Sequence, residues 1–296
     1  MKKTPDIFAY RDKTLRVALC QVFTREWDVP GNLARVLESL DMAATTCADV
    51  AVLPECVFHG YGLSGTEDLR TRCLDIAENV DGPCLSAVRK KARELGMSVV
   101  VGFAEKGEGG VIYNAAAYIT SEGVVGNLYR KVHCRDFESA RHHGVFTPGD
   151  EFSTYTIQVQ GNTFVAGTLI CFDREIPESV RCLRALGAMV VFCLLACDTT
   201  SFQDKADYAN NELVTVCRAA ENEVFIVIVN HAGRFNGGSY VVGPGGELLH
   251  QMGAEPGVAV VDVPVGSIPA AFHSRPYGWM GWGFRRPEVY ARYLAG

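Results

Sequence analysis

Short apolar runs alternate with segments of helical periodicity along most of the chain. Runs of about four to eight residues rich in Val, Ile and Leu are typical of buried strands, and apolar spacings of three and four residues are typical of helices. Strands are therefore predicted at residues 17–23, 50–53, 97–103, 111–120, 124–130, 163–170, 189–196, 224–230, 239–242, 247–251 and 258–263. Helices are predicted at residues 32–44, 83–95, 180–186 and 207–221.

Local signals mark the ends of several of these elements. Asn32 is a candidate N-cap for the first helix, while Pro83 begins the second and Gly96 ends it. Two hairpins are expected, one through Ser121-Glu-Gly123 and the other through Gly243-Pro-Gly-Gly246. Because no helical pattern follows the second turn directly, its glycines are not interpreted as a phosphate-binding loop.

Two successive rounds of strand, helix and strand, each followed by a hairpin, predict an α/β protein with two similar halves. Their strands would form two sheets with the helices outside. No low-complexity linker divides the chain, so we expect a polar tail at 1–14, one domain at 15–273 and an aromatic segment at 274–296. That aromatic segment is expected to pack on the body of the protein or on a partner subunit.

Composition limits the classes of partner. Hydrophobic residues make up 48% of the 296 residues, which is enough for a large core. The net charge of −6, from 28 basic and 34 acidic residues, argues against binding to nucleic acid. No apolar run approaches the roughly 18 residues of a membrane helix, and the N-terminus lacks the apolar stretch of a secretory signal. We therefore expect a cytoplasmic protein with neither membrane nor nucleic-acid partners.

The cysteines and histidines do not suggest a metal site. The chain has eleven cysteines, an odd number, without the paired spacing of a zinc knuckle. Most lie in apolar segments, where a cysteine acts as a small hydrophobic side chain in a reducing compartment. His133, His142 and His143 have a spacing that fits no common metal site. No metal or cofactor is expected.

Three reactive side chains each follow an apolar run: Glu55 follows Ala51-Val-Leu-Pro54, Lys131 follows residues 124–130, and Cys171 follows residues 163–170. A strand that ends in a polar turn presents its last side chain beside exposed backbone N–H groups, which suits a nucleophile. A single cysteine is by default an ordinary buried residue. Glu, Lys and Cys in this common setting indicate catalysis instead.

Several short motifs resemble the nitrilase superfamily of carbon–nitrogen hydrolases. They are Leu53-Pro-Glu55 with Gly60-Tyr-Gly62, Tyr129-Arg-Lys-Val-His133, and Cys171-Phe-Asp-Arg-Glu-Ile-Pro-Glu178. The resemblance continues through Glu221-Asn222, Val229-Asn230, Gly237-Gly-Ser239 and Arg285-Arg-Pro-Glu288, and covers roughly residues 15 to 290. It implies a four-layer α-β-β-α sandwich whose subunits pair into a homodimer or a higher homo-oligomer.

The resemblance also implies a set of catalytic residues. The Glu-Lys-Cys triad of this superfamily corresponds to Glu55, Lys131 and Cys171. A second active-site glutamate usually follows the lysine and precedes a Phe-x-Pro-Gly stretch. Glu138, ahead of Phe146-Thr-Pro-Gly149, is the candidate for that residue, although its separation from the stretch is long.

The triad accounts for hydrolysis of an amide. Cys171 would be the nucleophile, and the ammonium of Lys131 would favour a low-pKa thiolate. Glu55 would take the thiol proton, return it to the departing nitrogen and then activate water. Lys131 and the backbone N–H of Phe172 would hold the oxyanion of the tetrahedral intermediate.

The turn after the nucleophile is expected to contribute to substrate binding. Arg174 and Glu175 either line the pocket or pair with each other, and the sequence leaves both interpretations open. Cys197 and Asp198, which follow another apolar run, are candidates for the pocket wall. Asp173 is interpreted as a structural partner of the turn.

Four functions are compatible with these residues. The first is a thiol amidohydrolase that releases ammonia from a small linear amide. The second is an N-carbamoyl hydrolase, for which the branch similar at Cys-x-Asp-Arg carries a second arginine where this chain has Glu175. The third is a nitrilase, and the fourth is a non-catalytic binding protein that retains the fold, which an intact triad argues against.

Overall fold

A computed structural model describes residues 13–62, 69–142, 144–197, 205–267 and 282–294. Its strands, numbered in chain order, are β1 Leu15–Gln21, β2 Val50–Val52, β3 Ser98–Lys106, β4 Ile112–Ile119, β5 Val125–Arg130, β6 Thr154–Val159, β7 Asn162–Ile170, β8 Val190–Leu194, β9 Phe225–Val229, β10 Tyr240–Val242, β11 Leu248–Gln251 and β12 Gly257–Val263. Its helices are α1 Val29–Ala44, α2 Leu69–Ile76, α3 Pro83–Leu95, α4 Pro177–Ala185, α5 Lys205–Asn222 and α6 Pro287–Leu294.

The strands of the described residues form two six-stranded sheets, in the orders β12-β1-β2-β3-β4-β5 and β11-β10-β9-β8-β7-β6. In each sheet three central strands are parallel, β1-β2-β3 in one and β7-β8-β9 in the other, and the outer strands are antiparallel. The two halves therefore have the same organisation, as the sequence pattern predicts. Parallel strands point their carboxyl ends to the same edge of a sheet, which gathers the residues that follow them.

Alternate residues of the first sheet enter two different cores. Val17 and Leu19 of β1 pack in the core shared with the second sheet, whereas Ala18 and Cys20 pack in a core with residues of α1 and α3. A strand buried on both faces reads as a continuous apolar run, which explains the pattern in the sequence. The four-layer α-β-β-α sandwich is thus confirmed.

The first helix begins earlier than the pattern predicts. Its N-cap is Asp28, whose carboxylate accepts a hydrogen bond from the N–H of Gly31 at 3.1 Å, with a proline in the first turn. The prediction of Asn32 as N-cap is wrong. The Asn32 amide is buried and donates to the carbonyl oxygens of Arg25 and Phe58, so it fastens the loop after β2 to the helix.

Three elements were not predicted. Helix α2 has a single fully buried residue, Cys73, and β6 is a strand at the edge of its sheet. Helix α6 lies within the segment in which the sequence shows little periodicity, and it is amphipathic and largely exposed. Residues 1–12 of the predicted tail and residues 274–281 and 295–296 of the aromatic segment lie outside the described residues.

Within the described part of the chain, none of the helices combines the length and the apolar character needed to cross a membrane.

Candidate active site

The ends of β2, β5 and β7 bring Glu55, Lys131 and Cys171 into one cluster, in which the glutamate and the lysine are buried and the cysteine is half-buried. Lys131 Nζ donates to Glu55 Oε1 at 2.9 Å, and neither side chain has any exposed surface. The loop that carries Glu55 packs tightly on β3, because a Cβ at Gly102 would lie 2.6 Å from the carbonyl oxygen of Pro54. The thiol of Cys171 lies within electrostatic reach of both partners.

Glu138 also bonds to Lys131. Its Oε1 accepts from Lys131 Nζ at 2.6 Å and its Oε2 accepts from the hydroxyl of Tyr61 at 2.9 Å. The residues between Glu138 and the Phe-x-Pro-Gly stretch form a turn. In this turn the N–H of Phe146 donates to the backbone carbonyl of Glu138 at 2.8 Å. Gly144 allows this turn, because a Cβ there would overlap the Glu138 carbonyl group. Sequence reasoning did not single out Tyr61 as a partner of this carboxylate.

Asn114 is a further polar residue that sequence reasoning missed. It is fully buried on β4, and its Nδ2 donates to Glu55 Oε1 at 2.6 Å. Its own carbonyl oxygen accepts from the N–H of Lys131 at 2.8 Å, so the residue holds both members of the pair. An amide inside an otherwise apolar strand is the signal that could have identified it, since buried polar groups need partners.

Glu55 is bonded through one carboxylate oxygen. Oε1 has Lys131 and Asn114 as partners, while Oε2 is buried without a hydrogen-bond partner among the described residues. Leaving one oxygen of a buried carboxylate without a hydrogen bond costs free energy. This arrangement leaves Oε2 available for proton transfer.

The buried charges shift one another's ionisation. Burial raises the pKa of Glu55 and Glu138 adds to this, while Lys131 opposes both. For Lys131, burial lowers the pKa, but the two carboxylates outweigh it and hold the pKa well above its ordinary value. The lysine is therefore an ammonium ion.

The thiol of Cys171 is not a resting thiolate. Burial and the charge of Glu55 raise its pKa well above the ordinary value, and Lys131 only partly opposes them. The expectation of a low-pKa thiolate is therefore wrong, because burial and the charge of Glu55 together outweigh the effect of the lysine on the pKa of the thiol. The nucleophile needs a base at the moment of attack.

Cys171 sits on a strained turn after β7. Its φ of 47° lies in the left-handed region, and residues 171–175 form one short 3₁₀ turn. The carboxylate of Asp173 accepts from the N–H of Ile170, the hydroxyl of Tyr129 and the N–H of His133 at 3.2, 2.7 and 2.8 Å. Asp173 therefore ties the turn to the strand that precedes Lys131, which is a structural role.

The side chains of Arg174 and Glu175 diverge. Arg174 is buried, with Nη1 3.5 Å from the Tyr240 hydroxyl, whereas Glu175 lies 3.9 Å from Arg135 at the surface. The guanidinium of Arg135 in turn stacks over the ring of Phe172 at 4.9 Å. The two residues of the turn do not pair with each other in this arrangement, and Arg174 is the one directed inward.

A cavity lies beside this turn. Arg174 and Cys197 line it together with Leu195, Glu212, Asn230, Asn236, Gly237, Gly238, Tyr240 and Gln251. The amide of Asn230 holds the backbone of Cys197 on both sides, accepting from its N–H at 3.2 Å and donating to its carbonyl at 3.1 Å. Asp198, the other predicted wall residue, lies outside the described residues.

The histidines at 133 and 142 lie in the described residues and were not expected to bind a metal. His133 Nδ1 lies 3.0 Å from Asp173, and His143 lies outside the described residues. Over the described ranges, groups of three or more His, Cys, Asp and Glu side chains suited to a metal ion do not occur.

Comparison with known proteins shows the family of the chain. A family model described as Carbon-nitrogen hydrolase matches residues 16–271. An (R)-stereoselective amidase from Pseudomonas sp is 32% identical over 272 residues, which cover 89% of this chain and 90% of that protein. An N-carbamoylputrescine amidase from Solanum lycopersicum is 28% identical over 299 residues, which cover 95% of each.

A solved structure shows the chemistry of a similar site. A mutant of the amidase from Nesterenkonia sp. AN1, with the acetamide moiety of fluoroacetamide added covalently at the active site cysteine, has a TM-score of 0.77 and 26% identity. The similarity covers 96% of this chain and 98% of that chain. The chain therefore belongs to the carbon–nitrogen hydrolase family, within the nitrilase superfamily, and is a cysteine amidase.

Proposed function

We propose that the enzyme hydrolyses a small linear amide through a thioester on Cys171 and releases ammonia. One observation carries the proposal: Lys131 and Asn114 hold Glu55 by Oε1, while Oε2 has no partner within the described residues. A carboxylate that is fixed by one oxygen and open at the other is suited to move a proton to and from a nearby thiol. The raised pKa of Glu55 makes it a stronger base than an exposed glutamate.

Acylation begins when Glu55 takes the proton of the Cys171 thiol as sulfur attacks the amide carbon. The carbonyl π pair moves to oxygen, and the ammonium of Lys131 and the N–H of Phe172 are proposed to hold this oxyanion. The C–N bond then breaks as Glu55 returns the proton to nitrogen. Ammonia leaves and the acyl group remains on sulfur.

Deacylation reuses the same base. Glu55 takes a proton from water as the hydroxyl adds to the thioester carbon, and the second tetrahedral intermediate expels the thiolate. The thiolate recovers the proton from Glu55, which releases the carboxylic acid. Glu138 and Tyr61 keep Lys131 charged and oriented through both steps. The thiol of Cys171 is the only group that is acylated in this scheme.

The N-carbamoyl hydrolase is the second candidate. A relative named N-carbamoylputrescine amidase matches 95% of the chain, and the Cys-x-Asp-Arg turn of the carbamoylase branch is present. Nitrile hydrolysis needs the same nucleophile and remains the third candidate. The decisive experiment measures ammonia released from matched amides, N-carbamoyl amino acids and nitriles. Carbon dioxide formed with each ammonia would identify carbamoyl substrates.

A carboxylate on the substrate is expected to be recognised by Arg174. Arg174→Ala should raise KM for acidic amides by about 10- to 150-fold, since a charge-assisted hydrogen bond is worth roughly 1.5–3 kcal/mol. Neutral amides of the same size provide the internal control. The variant Glu175→Gln tests the alternative that Glu175 binds a basic substrate. If only this variant raises KM, and only for basic amides, specificity belongs to Glu175.

The acid limit of activity is expected to depend on Asn114. Its N–H···O bond to Glu55 favours the ionised carboxylate, so Asn114→Leu should raise the pKa of Glu55 further. Because Glu55 must be ionised to accept the thiol proton, the acid limb of kcat/KM should move to higher pH. Asn127→Leu, which removes a half-buried amide bonded to Ser153, is the matched control. A shift to lower pH would contradict the role of Asn114.

We propose that the subunits pair into a homodimer or a larger homo-oligomer through the C-terminal segment. Phe284 and Tyr293 are 67% and 81% exposed, which is unfavourable for aromatic side chains in solvent. Light scattering should therefore give at least the mass of a dimer, and a chain ending at residue 273 should be monomeric or aggregated, with reduced activity. A stable and active full-length monomer would contradict this proposal.

The cytoplasm is the proposed compartment. The eleven cysteines are not joined in disulfides within the described residues, and Cys171 has to remain reduced in order to react. The net charge of −6 supports a small-molecule substrate over nucleic acid.

A further inference from the structure

A buried histidine outside the triad holds the backbone of Glu55. His231 follows β9 in the second sheet and has no exposed surface. Its Nε2 lies 2.7 Å from the carbonyl oxygen of Glu55, and its Nδ1 lies 2.8 Å from the hydroxyl of Thr24. The imidazole thus connects the end of the second sheet to two segments that follow strands of the first sheet.

The partners determine the tautomer of the ring. A carbonyl oxygen can only accept, so Nε2 must carry a hydrogen toward Glu55. In the neutral ring Nδ1 then accepts the hydroxyl hydrogen of Thr24. Burial lowers the pKa of His231 to about 3, so the ring is neutral at ordinary pH. Both ring nitrogens are satisfied in this single arrangement.

The position of Glu55 relative to Cys171 depends on contacts between the sheets. Glu55 follows a strand of the first sheet and Cys171 follows a strand of the second, so neither strand alone sets their separation. The N–H of Glu55 reaches the carbonyl of Leu195 in the second sheet only at 3.4 Å, whereas the bond from His231 is short. The neighbouring Asn230 fixes Cys197 at the end of β8. The two residues after β9 therefore align both sides of the site.

We propose that His231 is a positioning residue that sets the placement of the Glu55 carboxylate against the Cys171 thiol. The inference rests on the proposed role of Glu55 as the base. Displacement of a catalytic group by about 1 Å can reduce the rate by about 100-fold. Loss of the Nε2 bond should therefore slow every step in which Glu55 moves a proton, with little effect on substrate binding.

Substitution of His231 by glutamine or by asparagine distinguishes the hydrogen bond to Glu55 from the hydrogen bond to Thr24. The side-chain nitrogen of glutamine occupies a place similar to Nε2, so His231→Gln retains a donor toward Glu55. Asparagine is shorter and its oxygen falls near Nδ1, so His231→Asn retains only the contact with Thr24. We expect His231→Asn to lower kcat by about 10- to 100-fold with KM changed less than about threefold. We expect His231→Gln to recover most of that loss.

A second measurement reports on the base directly. Iodoacetamide alkylation of Cys171, followed by mass spectrometry of its peptide, should slow in His231→Asn by about the same factor as kcat. Cys47, Cys182 and Cys217 are exposed and serve as internal standards for reagent reactivity. Val229→Ala removes apolar contacts from the same buried strand and controls for lost stability, so it should leave the alkylation rate unchanged.

The outcomes distinguish this inference from the proposed function. Equal activity of His231→Asn and His231→Gln per folded molecule, whether full or reduced, would overturn the positioning role. So would an alkylation rate that falls equally in Val229→Ala. If Glu55→Gln, measured in parallel, is inactive while His231→Asn is fully active, only the present inference fails. If Glu55→Gln retains activity, the proposed function fails as well.

Discussion

Replacement of Cys171 by alanine is expected to lower kcat by at least about 10⁴-fold, because no other group in the cluster can form the acyl-enzyme. The variant should fold normally. Alanine and cysteine both carry a Cβ, so the strain of the turn at φ 47° is the same in both. Cys171→Ser should be nearly as inactive, since Glu55 is too weak a base to activate an alcohol.

The measurement is ammonia release, together with the mass of the enzyme after rapid quenching with acid. The wild type should show one acyl group on the Cys171 peptide, and the alanine variant should show none. Cys182→Ala, which removes an exposed thiol from α4, is the matched control and should be fully active. More than a few per cent of wild-type activity in Cys171→Ala would contradict the assignment of the nucleophile.

Glu55→Gln and Lys131→Ala are each expected to lower kcat by about 10³-fold or more. The Glu55 variant loses the base of both half-reactions, and the Lys131 variant loses the cation that orients the base and holds the oxyanion. Because the two residues act as a unit, the double variant should be little worse than the worse single variant. Losses that multiply would place one residue outside the reaction.

The free energy of unfolding is expected to differ between Lys131→Ala and Glu55→Gln. Lys131 is bonded to both Glu55 and Glu138, so its removal leaves two buried carboxylates facing each other without a counter-charge. Loss of one partner of a buried ion pair costs about 3–5 kcal/mol, and we expect a fall of this size in the free energy of unfolding. Glu55→Gln leaves the pair of Lys131 with Glu138 intact and should unfold at nearly the wild-type denaturant concentration.

A compensated variant completes this test. Lys131→Ala combined with Glu138→Gln removes one of the two carboxylates and should regain part of the lost stability without regaining activity. Chemical denaturation and ammonia release are measured on the same preparations. Recovery of activity along with stability would mean that Lys131 acts only through the fold.

The order of strands and helices could be predicted because it depends on short stretches of sequence. Helix α3 has the predicted bounds, since Pro83 and Gly96 provide local start and stop signals, and Gly96 adopts the left-handed conformation expected of a C-cap. The central strands are buried on both faces and read as apolar runs. Elements without such signals, such as α2 with one buried residue, were missed.

The candidate triad could also be located from sequence, because strand ends are visible as the points where apolar runs stop. Glu55, Lys131 and Cys171 each follow a strand, and the packing of the two sheets against each other brings these strand ends together. Their catalytic roles remain predictions until the variants above are measured.

The ionisation of the site was decided only by the tertiary structure. From sequence, a lysine near a cysteine suggests a thiolate, but the pKa of Cys171 depends on burial and on every charge within reach. Glu55 lies 76 positions before Lys131 in the chain and Glu138 lies 7 positions after it, yet both carboxylates bond to its ammonium. Sequence separation carries no information on that shared contact.

The sequence by itself therefore determined the fold class, the strand ends and the three residues that form the candidate triad. Only the tertiary structure decided which polar groups hold them: Asn114 on the Glu55 carboxylate, Glu138 on Lys131, and His231 on the Glu55 backbone. It also decided that Arg174 points inward and Glu175 outward. The reason is physical, because propensity and periodicity act over a few residues, whereas burial, hydrogen bonding and charge coupling depend on segments brought together by the two sheets.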